Sequence, residues 1–307
     1  MAQDQFLPKE DSLTIMFWNL ENFFDPRDSG KGNADKEFSS NGSRHWSWKK
    51  FDKKRNMIAK TILWIGTKYK HVPDIIGFAE VENSFVLWSL CSSDPLKKLG
   101  YRYIHFESPD HRGIDVGLLY RSSTMQVYQA EQVPLVRNND TLATRAILRV
   151  RAGYIDGHDC LFLVNHHPSK FSGAKSSAGL RELAMRTMYD CCDFSVPILI
   201  SMGDFNDTPD APQMAIIDDE ICNLGMSFVG KDEGSIRFGG RWQLIDFFFV
   251  SRCIADSCKM YICKPDFLLK WDSTHPGLKP FRTYSGPRYI GGVSDHLPVV
   301  LRCGNLL

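Results

Sequence analysis

Residues 199–210 read LISMGDFNDTPD, and the decision they force is what a buried strand is doing with Asp204, Asn206 and Asp207 at its end. The apolar run from Val196 to Ile200, followed by Gly203, has the pattern of a core strand bounded by turn residues. Ionised carboxylates beside apolar ground are costly unless they are paired, hydrogen-bonded or bound to a metal. Two readings follow. Asp204 either caps an Asx-turn as the chain leaves the strand, or it is mounted there for chemistry.

The same pattern recurs outward from this stretch. Strand-like segments are SLTIMFW, DIIGFAEV, YRYIHFE, IDVGLLYR, TMQVYQAEQV, ATRAILRVRA, CLFLVNH, VPILISMG, LIDFFFVS and HLPVVLRC. Two helices are expected. Trp48, Phe51, Arg55, Ile58, Ile62 and Ile65 recur at helical spacing over 48–65, and Leu180, Leu183, Ala184, Met188 and Cys191 over 178–192. The lysines of KKFDKKR (49–55) then fall on a solvated face. The polar segment from Pro26 to His45 reads as a long loop. Strands with few helices between them exclude a doubly wound parallel sheet. They point to an α/β (α+β) fold with antiparallel or mixed sheets packed face to face and helices outside. No composition shift divides the chain, so a single domain over 13–307 with a tail at 1–12 is expected.

Composition narrows the function classes. The 307 residues are 43% hydrophobic and 12% aromatic, enough for a large packed core. The net charge of +1 advertises no global field for nucleic acid. No apolar run reaches membrane-span length. The nine cysteines form no Cys-x-x-Cys, so neither a thiolate zinc site nor a disulfide framework is implied. MAQDQFLPKEDS is not a leader sequence, so the cytoplasm is the default compartment; a secreted or periplasmic protein would have lost its leader before residue 1. A monomer is expected.

Polar residues close or open one apolar strand after another. They are Asn19 after TIMFW, Glu80 after IIGFA, His166 and His167 after LFLVN, Asp204 and Asn206 after ILISMG, Asp246 before FFFVS, and Asp295–His296 before LPVVL. Each has a plain explanation alone: a turn cap for Asn19, a satisfied core histidine for His296, and for Glu82, the rival of Glu80, exposure to solvent. Together they supply carboxylates, amides and imidazoles at one rim, without a nucleophilic Ser or Cys. Hard oxygen ligands such as Glu80 and Asp295 suit Mg²⁺ or Mn²⁺, with a His or Asp to orient water.

In this order, MFWNLEN, FAEVEN, RGIDVGLLYR, LATRAIL, LVNHHPSK, GDFNDTP, LIDFFFV and GVSDHLPV resemble the endonuclease/exonuclease/phosphatase superfamily, and DKEFSSNGSRHWSWKKFDKKRNMIAKTI resembles its bacterial members. The resemblance implies a four-layer α/β/β/α sandwich with two central mixed, mostly antiparallel sheets and a metal-dependent phosphoesterase site at their rim. It places Asn19 and Glu80 at the metal, with Asp295 close by. Asp204 and Asn206 correspond to the pair that activates the attacking water, His296 to the catalytic histidine, and Asp246 to the acid that orients it. Arg145, taken as part of the ATRAIL strand, lies near the substrate phosphate. His166 takes the phosphate-contact position with His167 as its rival, Asp115 is expected to orient His166, and Arg112, Lys170, Lys175 and Arg181 lie near rim loops.

A dinuclear metallophosphoesterase also uses Gly-Asp-x-x-Asp, but its upstream Asp-x-His and downstream Asn-His-Glu are missing. A silent binding member would lack a ligand, and every matched position is filled. The expected substrates are phosphodiesters or phosphomonoesters, nucleic acid among them, with a nuclease favoured over a phosphatase for a small or lipid-borne phosphate.

Overall fold

The computed structural model describes residues 13–304 apart from 30, 31, 156, 171, 172, 174–176 and 218. The expected tail at 1–12, and Lys175, lie outside the described residues. In chain order the main strands are β1 (Leu13–Phe23), β2 (Ile75–Val81), β3 (Tyr101–His105), β4 (Asp115–Arg121), β5 (Met125–Val133) and β6 (Ile147–Tyr154). They continue with β7 (Asp159–His166), β8 (Ile198–Asp204), β9 (Ile221–Asn223), β10 (Asp246–Ser251), β11 (Cys258–Ile262) and β12 (Val299–Cys303). The helices are α1 (Asn33–Glu37), α2 (Trp48–Tyr69), α3 (Ser84–Cys91) and α4 (Ala178–Asp190).

Two six-stranded sheets result, ordered β11-β12-β1-β2-β4-β3 and β9-β10-β8-β7-β6-β5. Each holds one parallel pair at its centre, β1 with β2 and β7 with β8; the other pairings are antiparallel. Alternation along β1 explains the layering. Leu13, Ile15 and Phe17 pack toward the second sheet, whereas Met16 and Trp18 pack outward with Phe51, Ile58 and Ile62 of α2. Met185 and Met188 of α4 join the core on the far side. The seam is tight: a Cβ on Gly77 of β2 would lie 2.6 Å from the sulfur of Met202 on β8.

Several boundaries differ from expectation. The decisive strand runs on to Asp204 itself. The ATRAIL strand begins only at Ile147, so Arg145 sits in the preceding loop. The 26–45 loop contains α1 and buries Ala34 and Phe38. On α2, Trp48 is 44% exposed and Arg55 pairs with Asp52, while Lys54 is buried. The lysine run is therefore not one solvated face. Strand β11, missed by inspection, is joined to β12 by a Cys258–Cys303 disulfide. Among the described residues no helix is long and apolar enough to cross a membrane.

Candidate active site at the seam of the two sheets

The rim residues converge because the central strands of both sheets end at the same place. In the second sheet Asp204 is the register partner of both His166 and Asp246, so three functional groups occupy neighbouring strand ends. In the first, Asn19 pairs in register with Ala79, after which both strands bulge. Glu21, Asn22 and Glu80 take φ of 49°, 57° and 60°, and Asn206 across the seam takes 53°. Left-handed backbone in residues with a side chain costs about 1–3 kcal/mol each and persists where surrounding contacts enforce it.

Those contacts are present. Asn19 Nδ2 donates to Asp204 Oδ2 across the seam at 2.9 Å, while Asn19 Oδ1 accepts from the Glu21 amide. Glu80 Oε2 accepts from the Asn22 amide, and Arg112 reaches Asn22 Oδ1 at 3.0 Å and Glu80 Oε1 at 3.4 Å. Asp204 Oδ1 accepts from the Asn206 amide at 2.9 Å, which is the Asx-turn. The Asx-turn thus occupies one oxygen of Asp204 and leaves the other turned to the seam. Oδ2 faces Asn19, His166 Nε2 at 3.7 Å and His296 Nε2 at 3.9 Å.

His296 Nδ1 lies 2.8 Å from Asp246 Oδ2, which also accepts from Ser235 Oγ. The histidine is fixed further by Trp18 Nε1 donating to its carbonyl and by Ser294 Oγ, which accepts from its amide and donates to the Asn19 carbonyl. Burial alone would lower the His296 pKa. The carboxylates of Asp246, Asp204 and Asp295 override it and raise the imidazole well above its ordinary 6.5. Asp204 is pushed up to about 7, first by burial and then by Asp246, against the pull of His296, Asn19 and Asn206. His166 is driven well below 6.5 by burial and then by Arg145 and Arg112, so it is neutral.

Other expected residues sit elsewhere. Asp115 does not orient His166: its carboxylate takes His105 Nε2 at 3.1 Å and the amide and hydroxyl of Ser108. His167 follows His166 on a strand end and so points the other way, with its ring edge-on to Phe205. Of the two histidines, His166 is the one whose ring lies near Glu80 and Asp204. Arg145 is committed to Asp110 and to the His167 carbonyl, and Asn206 Nδ2 donates to that same carbonyl. Lys170 and Arg181 both bind Asp207, bracing the loop after β8 and not facing the rim. Asp295 is paired with Arg282 at 3.2 Å.

Inspection of the sequence missed a cationic mount under the strained turn at Glu21. Lys54 Nζ donates to the Glu21 carbonyl at 2.5 Å and to Thr283 Oγ1 at 2.9 Å. Glu21 in turn accepts from Arg282 and from the Thr283 amide. Burial lowers the Lys54 pKa and raises that of Glu21. The signal was available, since Lys54 falls three residues after Phe51 and four before Ile58, in step with the buried stripe. Lys54→Met is expected to cost about 2–4 kcal/mol, because a strained carbonyl and a buried hydroxyl lose a charged donor. Urea unfolding in EDTA measures it.

Glu82, expected to face solvent, is instead buried and accepts from the Asp25 amide. Burial first, then Asp25 and Asp35, raise its pKa from 4.5 to about 9. The folded protein therefore holds a proton that the unfolded chain releases. The stabilising contribution is complete below about 4.5 and is lost as pH rises through about 9. Glu82→Gln should flatten this decline, giving a higher melting temperature than wild type at pH 8 and a similar one at pH 5.

The donor set suits a hard divalent cation: among the described residues the nearest partner of Glu80 Oε1 is Arg112 at 3.4 Å, and Asn19, on the neighbouring strand, adds a side-chain carbonyl oxygen. Asp204, Asp246 and His296 form a second group, with one ligand atom each lying within 4.8 Å of the others. Asp295, which already neutralises Arg282, is the weakest of the expected ligands.

Comparison with known proteins places the family and the fold. The family model described as Endonuclease/Exonuclease/phosphatase family matches residues 14–304. A Bacteroides thetaiotaomicron structure described as an endonuclease/exonuclease/phosphatase family protein superposes with a TM-score of 0.61 at 17% identity, over 95% of this chain and 97% of that one. A mannosyl-6-phosphatase from the same organism gives 0.59 at 17%, covering 94% and 98%. D. rerio TDP2 complexed with a single-strand DNA product gives 0.59 at 14%, covering 95% and 99%. No curated protein matches the sequence.

Proposed function

Because the chain belongs to the endonuclease/exonuclease/phosphatase family, a family of phosphoesterases, we propose that it is a divalent-metal-dependent phosphodiesterase, with nucleic acid as its substrate class. The observation that carries the diester preference is the charge balance at the rim. Arg112 is shared with Glu80, Arg282 with Glu21 and Asp295, and Lys170 and Arg181 are turned to Asp207. Few cations are left over for a dianionic monoester, so a singly charged diester is the better fit. The reading that a phosphomonoester is the substrate has in its favour the likeness to a mannosyl-6-phosphatase.

Glu80 and Asn19 would hold Mg²⁺ or Mn²⁺, which when bound offsets charge on the phosphoryl oxygens. Asp204 Oδ2 orients a water and accepts its proton; Asn19 and the Asx-turn fix that carboxylate in one rotamer. The protonated His296, tethered by Asp246, donates Nε2–H toward the phosphoryl group as negative charge builds there. Neutral His166 supplies a second hydrogen-bonding nitrogen between Glu80 and Asp204. As to compartment, the Cys258–Cys303 bond favours an oxidising one over the cytoplasm.

The test is an activity panel on metal-stripped protein resupplied with Mg²⁺ or Mn²⁺. It covers bis-aryl phosphodiester, aryl phosphomonoester, single-stranded and plasmid DNA, RNA and sphingomyelin. Phosphodiesters should be hydrolysed with the higher kcat/KM, and Glu80→Gln should need at least tenfold more Mg²⁺. A preference for the monoester, or a Glu80→Gln enzyme at wild-type rate in limiting Mg²⁺, defeats the proposal.

A further inference from the structure

Helix α3 leaves the metal corner and carries an exposed aromatic row away from it. The chain passes from Glu80 through the Asn83 cap into α3, so Trp88 stands at most roughly 20 Å from Glu80. Trp48 and Trp88 are 44% and 51% exposed, and Phe85 lies between them at ring-centroid distances of 6.0 Å and 5.6 Å. Arg27 stacks on Phe85, its guanidinium carbon 4.0 Å from the ring centre, held there by Asp25 through Nε at 3.0 Å and Nη2 at 2.8 Å. Single exposed aromatics are ordinary on a protein surface; a contiguous row backed by a stacked guanidinium is not.

Beyond Trp88 lies a cleft of about 410 Å³ whose lining includes Lys97, Arg102, Tyr103 and Tyr120, with Tyr103 on the α3 side of the sheet. Arg102 is exposed on edge strand β3 and makes no ion pair among the described residues. Lys97 has only Asp94, an exposed partner of the kind that contributes little and is easily exchanged. None of these residues has a role in the chemistry above.

Resting on the phosphodiesterase reading, we infer that this row and cleft form a binding track for single-stranded nucleic acid upstream or downstream of the scissile phosphate. Bases stack on Trp48 and Trp88, one base enters the cleft beside Tyr103, and the phosphates meet Lys97 and Arg102. Stacking rings in series with cations beside them is the arrangement that grips a single strand without reading its sequence. An uncharged glycan would use the rings but gain nothing from Lys97 and Arg102, which is why the polyanion is the occupant.

The experiment compares the wild type with Trp88→Ala and Arg102→Ala, singly and together, on a 12-nucleotide oligo-dT and on bis-aryl phosphodiester. Tryptophan fluorescence during oligo-dT titration in EDTA reads binding without turnover. Expected are quenching in the wild type, a loss of about 10- to 100-fold in oligonucleotide affinity for Trp88→Ala, a shallower salt dependence for Arg102→Ala, and unchanged hydrolysis of the small diester. Equal losses on both substrates, undiminished oligonucleotide binding in the double variant, or quenching by a phosphorylated mannan but not by oligo-dT would each overturn the track. In those outcomes a wild type still hydrolysing the small diester leaves the phosphodiesterase reading standing; loss of that activity too is failure of the reading itself.

Discussion

Asp204→Asn is expected to lower turnover by about a hundred- to ten-thousand-fold while moving the melting temperature little. The two oxygens of this carboxylate do separate work. Oδ1 holds the Asx-turn through the Asn206 amide, and an asparagine carbonyl preserves that bond. Oδ2 faces Asn19, His166 and His296, and there the substitution removes both the charge and the ability to take a proton. Substrate affinity should survive or tighten as an anion is withdrawn from the phosphate. Asp207→Asn is the control. Asp207 is held by Lys170, Arg181 and Gln213 and has no contact with the rim set, so its loss should lower the melting temperature and leave turnover within a few-fold. The reverse pattern would make Asp207, and not Asp204, the carboxylate that takes the proton.

Asp246→Asn should cost about a hundredfold or more in kcat, with a change in pH profile that a structural defect cannot imitate. Asp246 is the main influence holding His296 protonated against burial. Without its charge, burial prevails and the imidazolium loses its proton at lower pH. Activity that depends on the protonated ring should then fall off on the alkaline side at lower pH than in the wild type. The measurement is kcat/KM against pH on the small diester at saturating metal. A profile unshifted from wild type would remove the proton-donor role from His296.

All ten inspected strands were readable because apolar runs between turn residues report burial directly, and the positions at their ends followed from where the runs stop. Side-chain direction was less legible. Whether His166 or His167 faces the rim depends on one residue of register, and Asp115 belonged to His105, a partner that no spacing rule selects. Lys54 was misplaced for a different reason: a charge inside a basic run looks solvated until the helical phase is counted from Phe51. Arg282 and the Thr283 amide come from a segment more than 250 residues after Glu21, and such contacts leave no local trace. The bulges that turn Glu21, Asn22 and Glu80 into left-handed backbone were likewise invisible, since none of the three is a glycine.

The Asn19–Asp204 contact joins the middle of one sheet to the middle of the other. A site built this way has no hinge of its own. Local fraying should not open it, because central buried strands open only near the free energy of global unfolding. Catalysis should therefore keep a single activation enthalpy on heating and vanish together with the native fold. Its amides at Met202 and Phe248 should exchange as slowly as global unfolding allows, while those of α3 exchange earlier.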